Sequence, residues 1–339
     1  MNERFQIMMN WLESLSILQE CEVTNPVPAS SDASFRRYFR IETKGAAGSN
    51  SYIIMDAPVK HEDCRPFIAV SEQLVKMGLT VPEVLAQDLD QGFLLLTDLG
   101  STTYLSVLET ASESKVDALY GDALAALVRL QTKGNTVAQS LPAYDDKLLY
   151  TEMSLFSDWL LGTHLDIGLD KVETQAWQNV QDLLVNSALK QPQTYVHRDY
   201  HSRNLMVLDE ANPGILDFQD AVKGPLTYDA VSMLRDCYIA WPEGQVLEWQ
   251  RNYFLQLCQT KVMHKDEWNH FQRSMDLMGV QRHLKASGIF ARLLHRDGKD
   301  GYLKDIPLTL EYLVKVGGKY PEIQSLVNLV ESKVLPKFS

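Results

Sequence analysis

Hydrophobic residues near the start of the chain recur at helical spacing. Between residues 5 and 15 the apolar side chains fall three or four positions apart, and polar side chains occupy the opposite face. This pattern predicts an amphipathic first helix. Its apolar positions are Phe5, Met8, Met9, Leu12 and Leu15.

The pattern changes to short β-rich runs between residues 25 and 98. Residues 35–43 and 51–58 are rich in aromatic and β-branched side chains and flank a turn of Gly, Ala, Ser and Asn, which predicts a hairpin. The other segments of this region are one helical stretch and two strand-like runs: 66–77, 83–89 and 92–99. We therefore predict a small sheet that carries one inserted helix.

After Gly100 the helical period dominates. The candidate helices lie near residues 115–132, 145–163, 172–188, 227–240, 245–261, 266–279, 281–296 and 319–333. One interruption occurs between Thr194 and Asp217, where three short apolar runs set in polar turns predict a small β island. The prediction is an α+β fold with a small β-rich N-lobe, residues 1–98, and a large, mainly helical C-lobe, residues 99–339.

Composition and charge restrict the class of protein. Of the 339 residues, 45% are hydrophobic and 22% are charged, as in a globular protein. The 32 Lys and Arg against 44 Asp and Glu give a net charge of −12, which argues against nucleic acid and anionic membranes as partners. The four cysteines form no Cys-x-x-Cys pair, so neither a zinc ribbon nor a disulfide framework is indicated. No apolar run reaches about 18 residues, and we expect a cytoplasmic protein.

Polar residues with an informative spacing lie in the β island. Its first loop, residues 197–204, reads HRDYHSRN, and residues 215–218 read ILDF. Phosphoryl transfer needs a carboxylate for the proton of the attacking hydroxyl, and oxygen ligands for Mg²⁺ on the nucleotide. Asp199 can supply the first, and Asn204 and Asp217 can supply the second. An Asp followed by an Asn five residues later is common by chance, but the extended string is much more specific.

The strings HRDYHSRNLMVL and ILDFQDA resemble the catalytic loop and metal strand of the aminoglycoside phosphotransferase and choline kinase family. The resemblance extends over nearly the whole chain. Within the family it is strongest to bacterial kinases that phosphorylate the anomeric hydroxyl of N-acetylmuramate and N-acetylglucosamine in cell-wall recycling. It implies a two-lobed, protein-kinase-like fold and an ATP- and Mg²⁺-dependent sugar kinase. It also implies that Asp199 is the catalytic base, and that Asn204 and Asp217 bind Mg²⁺ and the nucleotide.

The chain departs from the wider kinase pattern where the phosphates would bind. No Gly-x-Gly-x-x-Gly occurs, and the hairpin begins with SSDASFRRYFR. Its backbone N–H groups and the hydroxyls of Ser30, Ser31 and Ser34 could cradle phosphates instead. The third-strand lysine of kinases is also absent, because Met55 and Asp56 stand in its place.

The remaining nucleotide contacts are assigned by position. Four cations could replace the lysine: Arg36, Arg37, Arg40 and Lys60. We assign Arg37, since an arginine fork suits phosphate oxygens, and expect at least two of the four to be solvated strand-edge charges. Glu72 is either a partner of the chosen cation or a solvent-facing acid. Backbone groups from Leu96 to Asp98 are expected to bind adenine, although the Asp98 side chain is equally a turn or cap residue.

Two segments of the C-lobe are candidates for the acceptor site. Asp229 is expected to start a helix and brace the catalytic loop, whereas Arg235 and Asp236 either pair with each other or face a cavity. A cationic stripe at helical spacing follows: Arg282, Lys285, Arg292 and Arg296. The stripe is either a solvated face or a site for an anionic acceptor group such as the muramate lactyl carboxylate. Phe156 and Trp159 could support a sugar ring, but core packing is favoured.

Other functions stay open on the sequence alone. An aminoglycoside or other small-alcohol kinase would share the catalytic loop, although the cationic stripe argues against polycationic acceptors. The missing lysine suggests a nucleotide-binding pseudokinase. A metal-dependent phosphohydrolase could use His197, Asp199 and His201 with Asp217, but we favour loop-fixing hydrogen bonds for both histidines. We expect a small-molecule sugar substrate and a monomer or weak homodimer.

Overall fold

The chain forms two compact units. The computed structural model describes three stretches of the chain: residues 3–31, 35–45 and 48–338. The first unit contains the described residues up to Thr103 together with Met206–Gln219, and the second contains Tyr104–Leu205 and the described residues from Asp220 onward.

The segment Met206–Gln219 belongs to the first unit because its backbone bonds to that unit. The N–H of Val207 donates to the carbonyl of Thr102, and the N–H of Ile215 donates to the carbonyl of Thr80, each at 2.8 Å. The sequence-based division had given this whole segment to the C-lobe, since chain order alone does not reveal such pairing.

The first unit is a sheet with two helices. Its elements before residue 104 are α1 (Glu3–Ser14), β1 (Glu22–Val23), β2 (Val27–Ser31), β3 (Arg37–Gly45), β4 (Gly48–Asp56), α2 (Arg65–Lys76), β5 (Val84–Asp88) and β6 (Phe93–Thr97). The strands are antiparallel in the order β1-β3-β4-β6-β5, with β2 beside β3. β3 pairs with β4 from Arg37 opposite Asp56 to Gly45 opposite Gly48, which confirms the predicted hairpin.

The amphipathic pattern of α1 explains how this helix packs on the sheet of the first unit. Met8 and Leu12, one turn apart, are buried and pack on the sheet residues Ile41, Ile54 and Phe93. The predicted first helix and the predicted inserted helix, now α2, are both confirmed.

The second unit is mainly helical. Its helices are α3 (Tyr104–Leu108), α4 (Glu113–Lys133), α5 (Asn135–Ala138), α6 (Asp146–Leu155), α7 (Lys171–Leu189), α8 (Tyr228–Leu234), α9 (Glu243–Gln259), α10 (Trp268–Asp297), α11 (Ile306–Gly317) and α12 (Gln324–Leu329). A π-helical run, Phe156–His164, continues α6.

The strands that follow β6 along the chain are β7 (Gln193–Val196), β8 (Leu205–Met206), β9 (Gly214–Ile215) and β10 (Val222–Pro225). β7 pairs with β10, and β8 pairs with β9.

Some predicted helices differ from the observed ones. The two helices predicted around residue 280 are one helix of 30 residues, α10. Gly279 lies inside this helix and faces α8, where a Cβ would be 3.5 Å from Val231. α8 was predicted to reach residue 240, yet it ends at Leu234 because Arg235 leaves helical geometry, with φ −126° and ψ 56°. α11 was not predicted.

Among the described residues, no helix combines the length and the apolar character that a bilayer span requires.

Candidate active site

One acid fixes the start of loop 197–204 to α8. Asp229, in the first turn of α8, is fully buried, and its carboxylate accepts the backbone N–H of His197 at 2.7 Å and of Arg198 at 3.0 Å. Burial raises the pKa of Asp229 to about 7, and the two N–H donors oppose that rise. Arg198 has a φ of 79°, which a residue with a side chain rarely adopts. The predicted brace is confirmed, and it holds a strained turn.

A second acid fixes the other end of the loop. The Oδ2 of Asp236 accepts both the backbone N–H of Ser202 at 2.9 Å and its hydroxyl at 2.6 Å. The Oδ1 accepts the backbone N–H of Tyr238 at 3.2 Å. Asp236, assigned from sequence to the acceptor site, therefore acts here as a structural brace.

The loop carries Asp199 half-buried at its centre. The backbone N–H of Asp199 donates to the Nδ1 of His197 at 3.2 Å, and the amide nitrogen of Asn204 donates to the Asp199 carbonyl at 3.1 Å. Burial would raise the pKa of Asp199, but the charges of Lys285 and His201, among others, hold it below its ordinary value. The carboxylate is therefore ionised at neutral pH, as an acceptor of the substrate proton must be.

A buried carboxylate, Glu152, joins two cations beside this loop. Its Oε1 accepts from the Arg198 guanidinium at 2.6 Å and pairs with the Lys285 ammonium at 3.1 Å. The Tyr144 hydroxyl and, at 3.4 Å, the Gln281 amide donate to its Oε2. Burial would raise the pKa of Glu152, but Lys285 and Arg198 hold it below its ordinary value. The cluster fixes the direction of Arg198, next to Asp199.

Glu152 was not predicted from the sequence, although a signal for it exists. Leu149, Glu152, Met153 and Phe156 are all buried and share one face of α6 and its continuation. An acid on an apolar helical face indicates a buried cationic partner. Phe156 packs on Trp177, with ring centroids 5.6 Å apart, so the core interpretation of Phe156 is confirmed.

The cationic stripe of α10 is not one solvated face, because Arg296 alone of its four cations is exposed. Arg282 and Lys285 are buried. Arg282 donates to the Ser232 hydroxyl at 2.5 Å and to the Cys237 sulfur at 3.2 Å, and Lys285 also donates to the Tyr228 hydroxyl at 2.8 Å. Both candidates for acceptor recognition are thus held by protein partners.

The remaining acceptor candidates are Arg235 and Arg292. Arg235 is buried and pairs with Glu243 at 2.8 Å and with Asp276 at 3.7 Å, so its partners are not Asp236. Arg292 is half-buried, and its Nε has no hydrogen-bond partner among the residues the structure describes.

Asp217 belongs to the first unit and follows β9 with a φ of 60°. Its Oδ1 accepts from the Gln219 amide at 2.7 Å, and the neighbouring Phe218 packs on Phe67 of α2, with centroids 4.8 Å apart. An amide oxygen and a carboxylate are the hard oxygen donors that Mg²⁺ prefers. The chemistry of Asn204 and Asp217 therefore fits this ion.

Two arginines among the nucleotide candidates pair with acids of the sheet. Arg37 forms an ion pair with the buried Asp56. Arg40 makes a bidentate pair with Asp98 at 2.6 and 3.0 Å, and Asp98 also accepts from the Ser51 hydroxyl at 2.5 Å. The side chain of Asp98 is thus a brace of the sheet and its turn.

The other charged candidates of the first unit differ in their exposure and in their partners. Arg36 pairs with Glu62 at 3.0 Å, whereas Lys60 is exposed and has no ion pair within the described stretches. Glu72 lies 3.8 Å from Lys76 on the exposed side of α2, which confirms its solvent-facing interpretation.

Three further positions, Ser31, Ser34 and Leu96, were assigned to the nucleotide from the sequence. Leu96 is buried in β6 between Ile53 and Val84. The backbone of Ser31 pairs with Arg37 at the end of β2. Ser34 lies outside the described residues.

Comparison with known proteins identifies the family. The model of the phosphotransferase enzyme family matches residues 26–265. The chain belongs to this family. It is therefore an enzyme that transfers a phosphoryl group to an acceptor hydroxyl.

Relatives match over almost their entire lengths. An N-acetylmuramate/N-acetylglucosamine kinase of Pseudomonas aeruginosa is 46% identical over 97% of this chain and 96% of its own. The proteins of the same name from Pseudomonas putida and Neisseria meningitidis are 44% and 40% identical, over 96% and 95% of this chain and 96% and 94% of theirs.

Solved structures of the same architecture agree with the predicted fold. A choline kinase of Streptococcus pneumoniae superposes with a TM-score of 0.62 at 12% identity, over 92% of this chain and 99% of the other. An ADP-bound aminoglycoside phosphotransferase gives 0.55 at 13% identity, over 93% and 99%. The predicted two-lobed, protein-kinase-like α+β fold is confirmed.

Proposed function

We propose that this enzyme transfers the γ-phosphate of ATP to the anomeric C1 hydroxyl of N-acetylmuramate and N-acetylglucosamine, in recycling of cell-wall sugars. The observation that carries the proposal is the 46% identity to a kinase named for both sugars, over nearly the full length of both proteins. The proposal includes a cytoplasmic location, where ATP is available, and a monomer or weak homodimer.

Asp199 is the proposed base. A hemiacetal hydroxyl is more acidic than an ordinary alcohol, so a carboxylate is basic enough to take its proton late in the reaction. Asp229 and Asp236 position Asp199 by fixing both ends of its loop. A fixed loop favours rigid placement of the attacking hydroxyl, and such placement is the main contribution of a protein to phosphoryl transfer.

Asn204 and Asp217 would hold Mg²⁺, which when bound neutralises charge on the phosphate oxygens. Arg37 and the backbone around Ser31 and Ser34 are the proposed phosphate contacts. The backbone from Leu96 to Asp98 is the proposed adenine contact.

The test is an ADP-release assay with MgATP against N-acetylmuramate, N-acetylglucosamine, choline and kanamycin. We expect turnover with the two N-acetyl sugars and a product whose phosphate is stable in alkali and labile in acid. Asp199→Asn should lower kcat by at least about 100-fold, the usual contribution of general-base catalysis. Asp209→Asn, at an exposed turn, is the matched control and should leave kcat unchanged. Turnover of kanamycin or choline with silence on both sugars would refute the proposed acceptor.

A further inference from the structure

Arg203 is a cation of the catalytic loop whose hydrogen-bond donors are available. It lies four residues after Asp199 and one before Asn204. Its guanidinium makes no hydrogen bond to a protein acceptor among the described residues. The acid it faces, Asp305, is 3.6 Å away, which is beyond hydrogen-bond distance. The side chain is 33% exposed, so a ligand can reach it.

The other cations around the loop already have partners. Arg198 and Lys285 share Glu152, and Arg282 donates to Ser232. Each of these three is oriented by a protein group that would have to be displaced before a ligand could bind. Arg203 needs no such displacement.

Aromatic rings hold the Arg203 guanidinium in one orientation. Its central carbon lies 3.5 Å from the centroid of the Tyr238 ring and 5.4 Å from that of Tyr302. Tyr302 in turn stacks on the buried Phe290, with centroids 5.8 Å apart and planes at 16°. Cation–π contacts of this kind fix a planar fork before the ligand arrives, which reduces the entropy lost on binding.

We propose that Arg203 binds the lactyl carboxylate of N-acetylmuramate and thereby sets the preference between the two acceptor sugars. The inference rests on the proposed function, because the carboxylate is the charged group that distinguishes N-acetylmuramate from N-acetylglucosamine. A guanidinium fork matches a carboxylate with two parallel N–H donors. The α10 stripe was one candidate for this role from the sequence, but its Arg282 and Lys285 have protein partners.

Asp305 has a defined part in this proposal. Its Oδ2 is buried without a hydrogen-bond partner and faces Arg203. Its negative charge therefore balances Arg203 in the free enzyme and opposes a second carboxylate at the same place. Its side chain makes no capping bond to α11, so Asp305→Asn is a mild change to the fold.

The experiment measures the ratio of kcat/KM for N-acetylmuramate to kcat/KM for N-acetylglucosamine. Arg203→Met, which keeps the length of the side chain over Tyr238, should lower this ratio by about 10- to 100-fold, the loss expected for a hydrogen-bonded charge pair. Arg203→Lys should restore part of it. Asp305→Asn should raise it. Arg273→Met, at an arginine that likewise lies over an aromatic ring, Tyr320, and faces an acid, Glu322, should leave it unchanged.

A chemical variant of the acceptor gives an independent readout. For the methyl ester of N-acetylmuramate, the ratio of kcat/KM to that for N-acetylglucosamine should be the same in wild type and Arg203→Met. The ester lacks the negative charge that Arg203 is proposed to bind. An unchanged ratio in Arg203→Met would overturn the inference. If kcat/KM falls equally for both sugars, the ratio is unchanged, and Arg203 has a phosphate-binding or loop-structural role instead. If wild type phosphorylates neither sugar, the proposed function itself fails.

Discussion

Removing the charge of Glu152 should destabilise the second unit far more than removing an exposed acid. The Glu152 side chain is 5% exposed and is the shared counter-ion of Arg198 and Lys285. Glu152→Gln keeps the shape but leaves two largely buried cations without their anion. Breaking a buried pair by removing one partner typically costs about 3–5 kcal/mol, because the remaining charge is uncompensated.

Urea denaturation followed by circular dichroism measures this loss. With a slope near 3 kcal/mol per M, a loss of this size lowers the midpoint by roughly 1 M or more. The matched control is Glu322→Gln, because Glu322 pairs with Arg273 at 3.0 Å but is 46% exposed. Exposed pairs contribute about 0–1 kcal/mol, so the control should shift the midpoint little.

A second substitution tests the cause. If Glu152→Gln acts by stranding Lys285, then combining it with Lys285→Met should cost less than the sum of the two single changes, by about 0.5–3 kcal/mol. Equal midpoint shifts for Glu152→Gln and Glu322→Gln, or strict additivity with Lys285→Met, would refute the reasoning.

Three further outcomes are expected. Asp229→Asn replaces an oxygen that accepts a backbone N–H by an NH₂ group, and should lower kcat by at least about tenfold with a smaller change in the KM for ATP, measured by ADP release. Gly288→Ala places a Cβ against the backbone of α6 and should cost about 1–3 kcal/mol in urea denaturation, whereas Gly244→Ala, with open space around it, should be neutral or slightly stabilising. Because folding lowers the pKa of Glu152, its carboxylate stabilises the fold above about pH 4.5, and this stabilisation is lost as the pH falls through the pKa of the folded state. Glu152→Gln should therefore flatten the acid limb of a profile of unfolding free energy against pH. An unchanged acid limb would contradict this.

Elements determined by local pattern could be predicted from the sequence. The hairpin of β3 and β4, the amphipathic α1 and the order of loop, strand and acid around Asp199 all depend on short-range spacing. The ends of helices depended on tertiary contacts instead. α8 ends at Leu234, where Arg235 leaves helical geometry, and Asp236 directly after it accepts from Ser202, 34 residues earlier in the chain.

Roles of charged residues were the least predictable part. Arg282 and Lys285 have the spacing of a surface stripe, but their partners come from α6 and α8, which no local pattern connects to α10. Glu152 pairs with Lys285 across 133 residues of sequence. Arg203 gave no signal of its own, because its distinguishing property is the pair of aromatic rings around it.

The two acids that hold loop 197–204 flank one short helix, α8: Asp229 lies in its first turn and Asp236 two residues after its end. The proposed acceptor contact, Arg203, has further neighbours outside this brace, since Tyr302 and Asp305 reach it from residues 298–305. We therefore expect a mutant library confined to residues 298–305 to change acceptor preference while Asp229 and Asp236 keep the loop of Asp199 in place. The same separation offers a route by which relatives of one fold can diverge toward different alcohols without rebuilding the reaction centre.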